Sequence, residues 1–237
     1  MKTEELTYSH DGTSLKGWAA FDDKRGIKRP AVIVAHAWAG RDEFACKKAE
    51  DLAKLGYVGF ALDMYGDARQ GKDKEENGQL MQPFLVDRAM LKGRIQAAVD
   101  FIKKHPSVAG DRVAAIGFCF GGLCVLDLAR SGSNVRGVIS FHGLLSAPEN
   151  LPNADISAKV LALHGYDDPM ATPENLTAFA KEMTDSKADW EVHAYGNTMH
   201  AFTNPAANDP DFGTVYREAA DKRSWKAMKA FLAEVLA

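Results

Sequence analysis

The stretch RVAAIGFCFGG, residues 112–122, decides the fold. It opens as a short apolar β-prone run, and residues 122–129 (GLCVLDLA) continue with the apolar density of a buried helix. Between the two, Gly117-Phe118-Cys119-Phe120-Gly121 matches the G-x-S-x-G elbow with cysteine in place of serine. A nucleophile on so sharp a strand-to-helix turn needs flanking residues without a Cβ, so that strand and helix can approach closely. Its side chain then stands alone above the sheet. Cys119 also falls near the N-terminus of the following helix, where free N–H groups and the helix dipole favour a thiolate, the nucleophilic form. Most free cysteines are small buried hydrophobes. Cys46 and Cys124 lack such a frame and are read as packing residues.

Outward from the elbow, strands alternate with helices. Residues 31–36 (AVIVAH) and 57–63 (YVGFALD) are apolar without in/out alternation, as expected of parallel strands covered on both faces. Residues 135–141, 159–164 and 190–195 read as further strands. Helices are expected over 43–55, from Pro83 to 102, over 172–187 with Thr172 as N-cap and Pro173 at the first helical position, and over 214–236. Leu91, Ile95, Ala98 and Ile102 make one apolar stripe. Residues 4–9 and 15–21 flank Asp11-Gly12, the composition of a hairpin turn. The tract 67–79 (DARQGKDKEENGQ), with seven charged residues in thirteen, reads as an exposed mobile loop. The whole is an α/β chain with a mostly parallel central sheet and helices on both faces, whose site lies beyond the carboxyl ends of the strands. One domain over residues 1–237 is expected.

Composition narrows the functions. With 237 residues, 46% hydrophobic, and a formal net charge of −3, the chain can bury a core without staples and has no basic excess for nucleic acid. No run is apolar and long enough to span a bilayer, and the opening residues MKTEELTYSHDG carry no apolar stretch, so a cytoplasmic protein without nucleic-acid or membrane partners is expected. Three cysteines without CxxC spacing suit neither a disulfide scaffold nor a zinc site.

A chain with this elbow runs nucleophile, acid, histidine, each in a loop after a strand. Asp167 and Asp168 follow the strand at 159–164, and His200 follows the one at 190–195. Asp168 is preferred, because Pro169 and the helix capped at Thr172 make it the last free position before the chain turns away; Asp167 is the alternative. A carboxylate on one ring nitrogen of His200 fixes its tautomer and turns the other nitrogen to the thiol. Backbone N–H groups of Phe120 and Trp38 are the expected oxyanion donors. Trp38, Phe202 and Asn204 are candidates to touch substrate. His36, His142 and His164, at strand ends on the same rim, are read as supporting or packing residues.

With these residues placed, the chain resembles the dienelactone hydrolase (carboxymethylenebutenolidase) family of the α/β-hydrolase superfamily. The resemblance rests on GFCFGG (117–122), ALDMYG (61–66), HGYDDPMATPE (164–174) and HAFTNP (200–205). It implies an α/β-hydrolase fold, a Cys119-Asp168-His200 triad, and hydrolysis of small esters or lactones without metal or cofactor. It departs at two positions. The family's glutamate after the first parallel strand, which holds the resting thiol, is Ala37 here, with Glu43 nearby on the helix side. The family's arginine four residues beyond the histidine is Asn204, with Arg88 and Arg94 as possible substitutes on a helix face. A thioesterase or acyltransferase, or a thiol-redox or non-catalytic binding protein on the same fold, are the alternatives. A monomer or weak homodimer is expected.

Overall fold

The computed structural model describes residues 1–24, 26–149 and 154–237. Eight strands form one sheet in the order β1-β2-β4-β3-β5-β6-β7-β8. The hairpin β1 (Lys2–His10) and β2 (Thr13–Phe21) is closed by Asp11-Gly12, both with positive φ (47° and 75°), as a two-residue turn requires. It pairs antiparallel onto β4 (Val58–Ala61). From there β3 (Arg29–Ala35), β5 (Val108–Phe118), β6 (Gly137–Phe141), β7 (Lys159–Gly165) and β8 (Trp190–Tyr195) run parallel.

The unbroken apolar strands are explained by burial on both faces. Along β3, Ala31, Ile33 and Ala35 join one core, while Val32 and Val34 join the other. The first core is covered by α3 (Arg88–Ile102), with its buried stripe Leu91, Ile95, Ala98 and Ile102, and by α4 (Phe120–Arg130). The second is covered by α1 (Glu43–Lys54) and α6 (Glu218–Val235), through Ala45, Ala49, Leu52, Met228 and Leu232. The helix α5 (Pro173–Asp185) joins β7 to β8, with Thr172 at its N-cap and Pro173 in its first turn.

Three expectations are corrected. Half of the charged tract is helix: α2 (Lys74–Val86) starts inside it, with Asp73 accepting from the Glu76 N–H at 2.9 Å and Glu75 and Glu76 in the first turn. Acidic residues there suit the positive end of the helix dipole. Pro83 lies inside α2, not at the start of one long helix. The break falls at Asp87, which ends α2 and caps α3 by accepting from the Met90 N–H at 2.8 Å. Finally, α6 begins at Glu218, because Thr214–Val215 pairs as β10 with β9 (Asn208–Asp209).

A buried ion network ties the helices to the loop after β6. Arg88 binds Asp127 through two hydrogen bonds (2.6 and 2.8 Å), and Arg130 binds Asp127 (3.1 Å), Glu182 (2.8 and 2.7 Å) and the Leu145 carbonyl (2.8 Å). Asp127 is completely buried between two guanidinium groups, so its removal leaves Arg88 without its ion-pair partner and Arg130 with Glu182 as its remaining one. Asp127→Ala is expected to lower stability by about 3–5 kcal/mol, read as a reduced urea midpoint with an unchanged m-value.

Candidate active site

At the carboxyl end of β5 the backbone turns through Cys119 at φ 55° and ψ −116°, a region that residues with a Cβ rarely occupy. The close approach explains the glycines on either side. A Cβ at Gly117 would overlap the Gly121 carbonyl oxygen, and one at Gly121 would overlap the Ala35 carbonyl oxygen. The Cys119 N–H points back into the sheet, donating to the Phe141 carbonyl (3.0 Å) and to Nδ1 of His142 (3.2 Å).

Asp168 and His200 approach from the next two loops. Asp168 is buried; its Oδ2 accepts from His200 Nδ1 at 2.7 Å, and its Oδ1 accepts from the N–H groups of Met170 (2.8 Å) and Ala171 (3.3 Å). Both carboxylate oxygens are therefore engaged, and the acid cannot swing away. Asp167 is exposed, with its N–H on the Thr198 carbonyl. The His200 backbone is held on both sides: its N–H donates to the Gly213 carbonyl (3.0 Å), and its carbonyl accepts from Val215 (3.1 Å). Gly213 itself packs on Pro169, where a Cβ would overlap the ring. The short β9–β10 excursion thus grips acid and histidine together.

His200 Nε2 is buried without a hydrogen-bond partner, and it shares the cavity with Cys119, whose sulfur is its strongest electrostatic partner. Burial works against charge on the sulfur, but His200 and the backbone N–H groups of Phe120 and Trp38 outweigh it and hold the thiol below its ordinary pKa. Burial likewise opposes charge on His200, but the Cys119 sulfur and the Asp168 carboxylate raise it to about 10. The two directions agree on a thiolate–imidazolium pair. The other rim histidines are neutral: burial, reinforced by His200, holds His142 well below its usual value, and burial lowers His36 and His164.

The loop that presents the Trp38 N–H is braced from β4. Tyr65 donates its hydroxyl to the Trp38 carbonyl at 2.9 Å, and His36 Nε2 accepts from the Met64 N–H at 3.2 Å. Beneath them the buried Asp63 carboxylate accepts from the N–H groups of Lys16, Tyr65, Gly66 and Ala68 at 2.8–3.0 Å.

Above the sulfur lies a cavity of about 190 Å³. Trp38, Phe44, Met81, Leu144, Met170 and Phe212 make it apolar, and Asp42, Thr203 and Asn204 are among its polar lining. Of the residues expected near substrate, Trp38 and Asn204 line it. Phe202 does not: it is completely buried beneath, edge-on to His142 and Tyr195, because the chain reverses at Ala201 (φ 55°) and turns that side chain inward. Arg88 and Arg94 are engaged elsewhere, Arg88 with Asp127 and Arg94 with the Met64 carbonyl (2.9 Å). Glu43 is exposed on the first turn of α1, so the sulfur is held by His200 and backbone N–H groups instead.

Two contributors escaped the sequence reading, and a third, His142, is read there only as supporting or packing. His142, with positive φ (40°), accepts from the Cys119 N–H, donates or accepts at Thr203 Oγ1 (2.8 Å) through Nε2, and packs edge-on to His200 at 5.1 Å. Its place at a strand end was visible, its role was not. Tyr65 and Phe212 reach the site from remote segments; Tyr65 falls within the ALDMYG motif but without a role read for it, and no local pattern marks Phe212.

The strand order, with the elbow at the carboxyl end of a central parallel strand, makes this an α/β-hydrolase. The model of the dienelactone hydrolase family matches residues 15–236. The chain belongs to that family and, with it, to the hydrolases of carboxylic esters and lactones. An uncharacterized protein of Caenorhabditis elegans is 39% identical over 150 residues, 62% of this chain and 95% of that one. A probable 2-oxo-3-(5-oxofuran-2-ylidene)propanoate lactonase of Bradyrhizobium sp is 30% identical over 213 residues, 86% of this chain and 83% of that one. Among solved structures, a dienelactone hydrolase-like promiscuous phosphotriesterase from metagenomic libraries superposes with a TM-score of 0.92 at 35% identity, over 100% of this chain and 99% of its own.

A thiol held below its ordinary pKa has a chemical signature. Alkylation of Cys119 by iodoacetamide, followed by peptide mass spectrometry, is expected to stay fast at pH values well below the ordinary thiol range. His200→Ala removes the paired cation, so the acid limb of that profile moves to higher pH; an unmoved limb would show that His200 does not charge the sulfur.

Proposed function

We propose that this chain hydrolyses small, uncharged esters or lactones through Cys119 as nucleophile, His200 as proton carrier and Asp168 as its orienting acid, without metal or cofactor. The observation that carries the reading is that Cys119, on its strained elbow, and His200, held by its 2.7 Å hydrogen bond to the buried Asp168, line the same small cavity. Nucleophile, base and oxyanion donors are then all supplied by the chain itself.

The thiolate attacks the carbonyl carbon, forming the C–S bond and moving the π electrons onto oxygen. As negative charge leaves sulfur for oxygen, the Phe120 and Trp38 N–H groups pass from one to the other without the backbone having to rearrange. Collapse of the tetrahedral species breaks the C–O bond, and the leaving alkoxide takes the proton from His200 Nε2. A thioester on Cys119 and a neutral His200 remain. His200 then deprotonates a water that attacks the thioester, and the second tetrahedral species expels the thiolate as the acid is released. The 2.7 Å hydrogen bond to Asp168 keeps the His200 ring oriented through both proton transfers. Amides suit this site poorly, because thiolate leaves more readily than an unprotonated amine.

The cavity supports the choice of substrate. Its volume of about 190 Å³ lies below the roughly 300–1,000 Å³ of common small-molecule sites. Among the described residues, those that line it include the Asp42 carboxylate and no lysine or arginine. A substrate carboxylate would be desolvated against aromatic rings beside the Asp42 carboxylate, with no guanidinium or ammonium in the lining to pair it. A free thiol of this kind is suited to a reducing compartment such as the cytoplasm.

Cys119→Ala is expected to reduce kcat/KM for p-nitrophenyl acetate by at least about 10³-fold, with the acyl-Cys119 adduct of the wild type trapped by acid quench and mass spectrometry. Unchanged turnover in purified variant protein would remove Cys119 from the reaction. For the wild type, kcat/KM for p-nitrophenyl butyrate is expected to exceed that for mono-p-nitrophenyl succinate by about tenfold or more, an advantage that Asp42→Asn narrows.

A further inference from the structure

At one side of the cavity, side chains from three segments that lie far apart in the chain meet at the Phe212 ring. Phe212, on the turn between β9 and β10, stacks on Trp38 with ring centroids 5.7 Å apart and planes 19° from parallel. Lys74, the first residue of α2, sets its ammonium 4.3 Å from the centre of the Phe212 ring and reaches Asp209 at 2.6 Å. Asp209 in turn accepts from the Phe212 N–H at 3.0 Å. Phe212 lines the same cavity as Cys119 and is 37% exposed, so its ring stands at the boundary between cavity and solvent. An aromatic ring in such a place is one of few large apolar side chains left in contact with water among the described residues.

We propose that Phe212 is a size-selecting residue, a wall at the mouth that limits this site to short acyl groups, and that Lys74 and Asp209 hold it there. The inference rests on the proposed ester chemistry only for its natural substrate; the wall itself governs any reagent that must reach Cys119. Face-on stacking against Trp38 and the Lys74 ammonium over the ring both restrict its movement. The Lys74–Asp209 pair is exposed and weak in isolation. Its role is to limit where the ring can swing. Because Trp38 also supplies a backbone N–H to the sulfur, the wall is built directly onto the oxyanion loop. An acyl chain longer than the cavity must displace Phe212 and break the stack, whereas acetyl or propionyl groups need not.

Two readouts test this on the full chain. The first is the ratio of kcat/KM for p-nitrophenyl hexanoate to that for p-nitrophenyl acetate. The second is the ratio of Cys119 alkylation rates by N-hexyl iodoacetamide and iodoacetamide, which needs no ester turnover. Phe212→Ala is expected to raise both ratios about tenfold or more, and Lys74→Met and Asp209→Asn to raise them about threefold. Phe212→Leu, which keeps an apolar side chain but loses the stack, should fall between. Alkylation ratios that stay at the wild-type value in Phe212→Ala overturn the wall, whatever the esters do. A raised alkylation ratio without any Cys119-dependent ester turnover upholds the wall and overturns the proposed substrate instead.

Discussion

The site depends on one crossing of backbones. β5 and α4 meet at Cys119 with so little room that Gly117 abuts the carbonyl of Gly121, and Gly121 abuts the carbonyl of Ala35. This contact forces Cys119 to positive φ, a conformation costing of order 1–3 kcal/mol, which the surrounding sheet and helix must over-determine. In return the sulfur is lifted clear of the sheet, and the first N–H of α4 is turned toward it. The second N–H comes from the loop after β3, the strand beside β5. The closeness that excludes a Cβ is therefore also what brings both donors to one atom.

Around that crossing the electrostatics are arranged by burial. A thiol and an imidazole placed separately in an apolar interior would each be pushed toward neutrality. Placed together, with Asp168 pinned behind the ring and N–H groups around the sulfur, each stabilises the charge of the other. His142 can lie against His200 because it stays neutral, accepting from the Cys119 N–H through Nδ1. A second cation at that position would compete with the imidazolium. Arg88, Asp127, Arg130 and Glu182 neutralise one another in a separate network.

Supporting parts come from segments with weak local signatures. The charged tract from residue 67 onward looks like solvent-facing chain, and much of it is. Yet α2 delivers Met81 to the cavity wall and Lys74 to the Phe212 ring. The segment at 208–215 has no periodicity to recommend it as structure, and it still sets the position of both Asp168 and His200 through Gly213. Asp63, at the end of a buried strand, reads as an oddity until its carboxylate is seen to collect four backbone N–H groups.

The sequence by itself determined the strand–helix alternation, the elbow and the order of Cys119, Asp168 and His200, because each is written in local terms: apolar runs, glycine spacing, a proline beside an acid. That Asp168 rather than Asp167 turns to His200 was also legible, since Pro169 and the capped helix constrain the chain at that point. Only the tertiary structure decided the rest. Whether Phe202 or Phe212 meets the cavity depends on a reversal at Ala201 and a short excursion of the chain, and the spacing of residues carries neither. The break at Asp87 depends on whether a proline is tolerated inside α2, and helix propensity cannot tell an internal proline from an initiating one. The wall of the site is made by residues 38, 81 and 212, brought together by the sheet, and long-range packing leaves no period in the sequence.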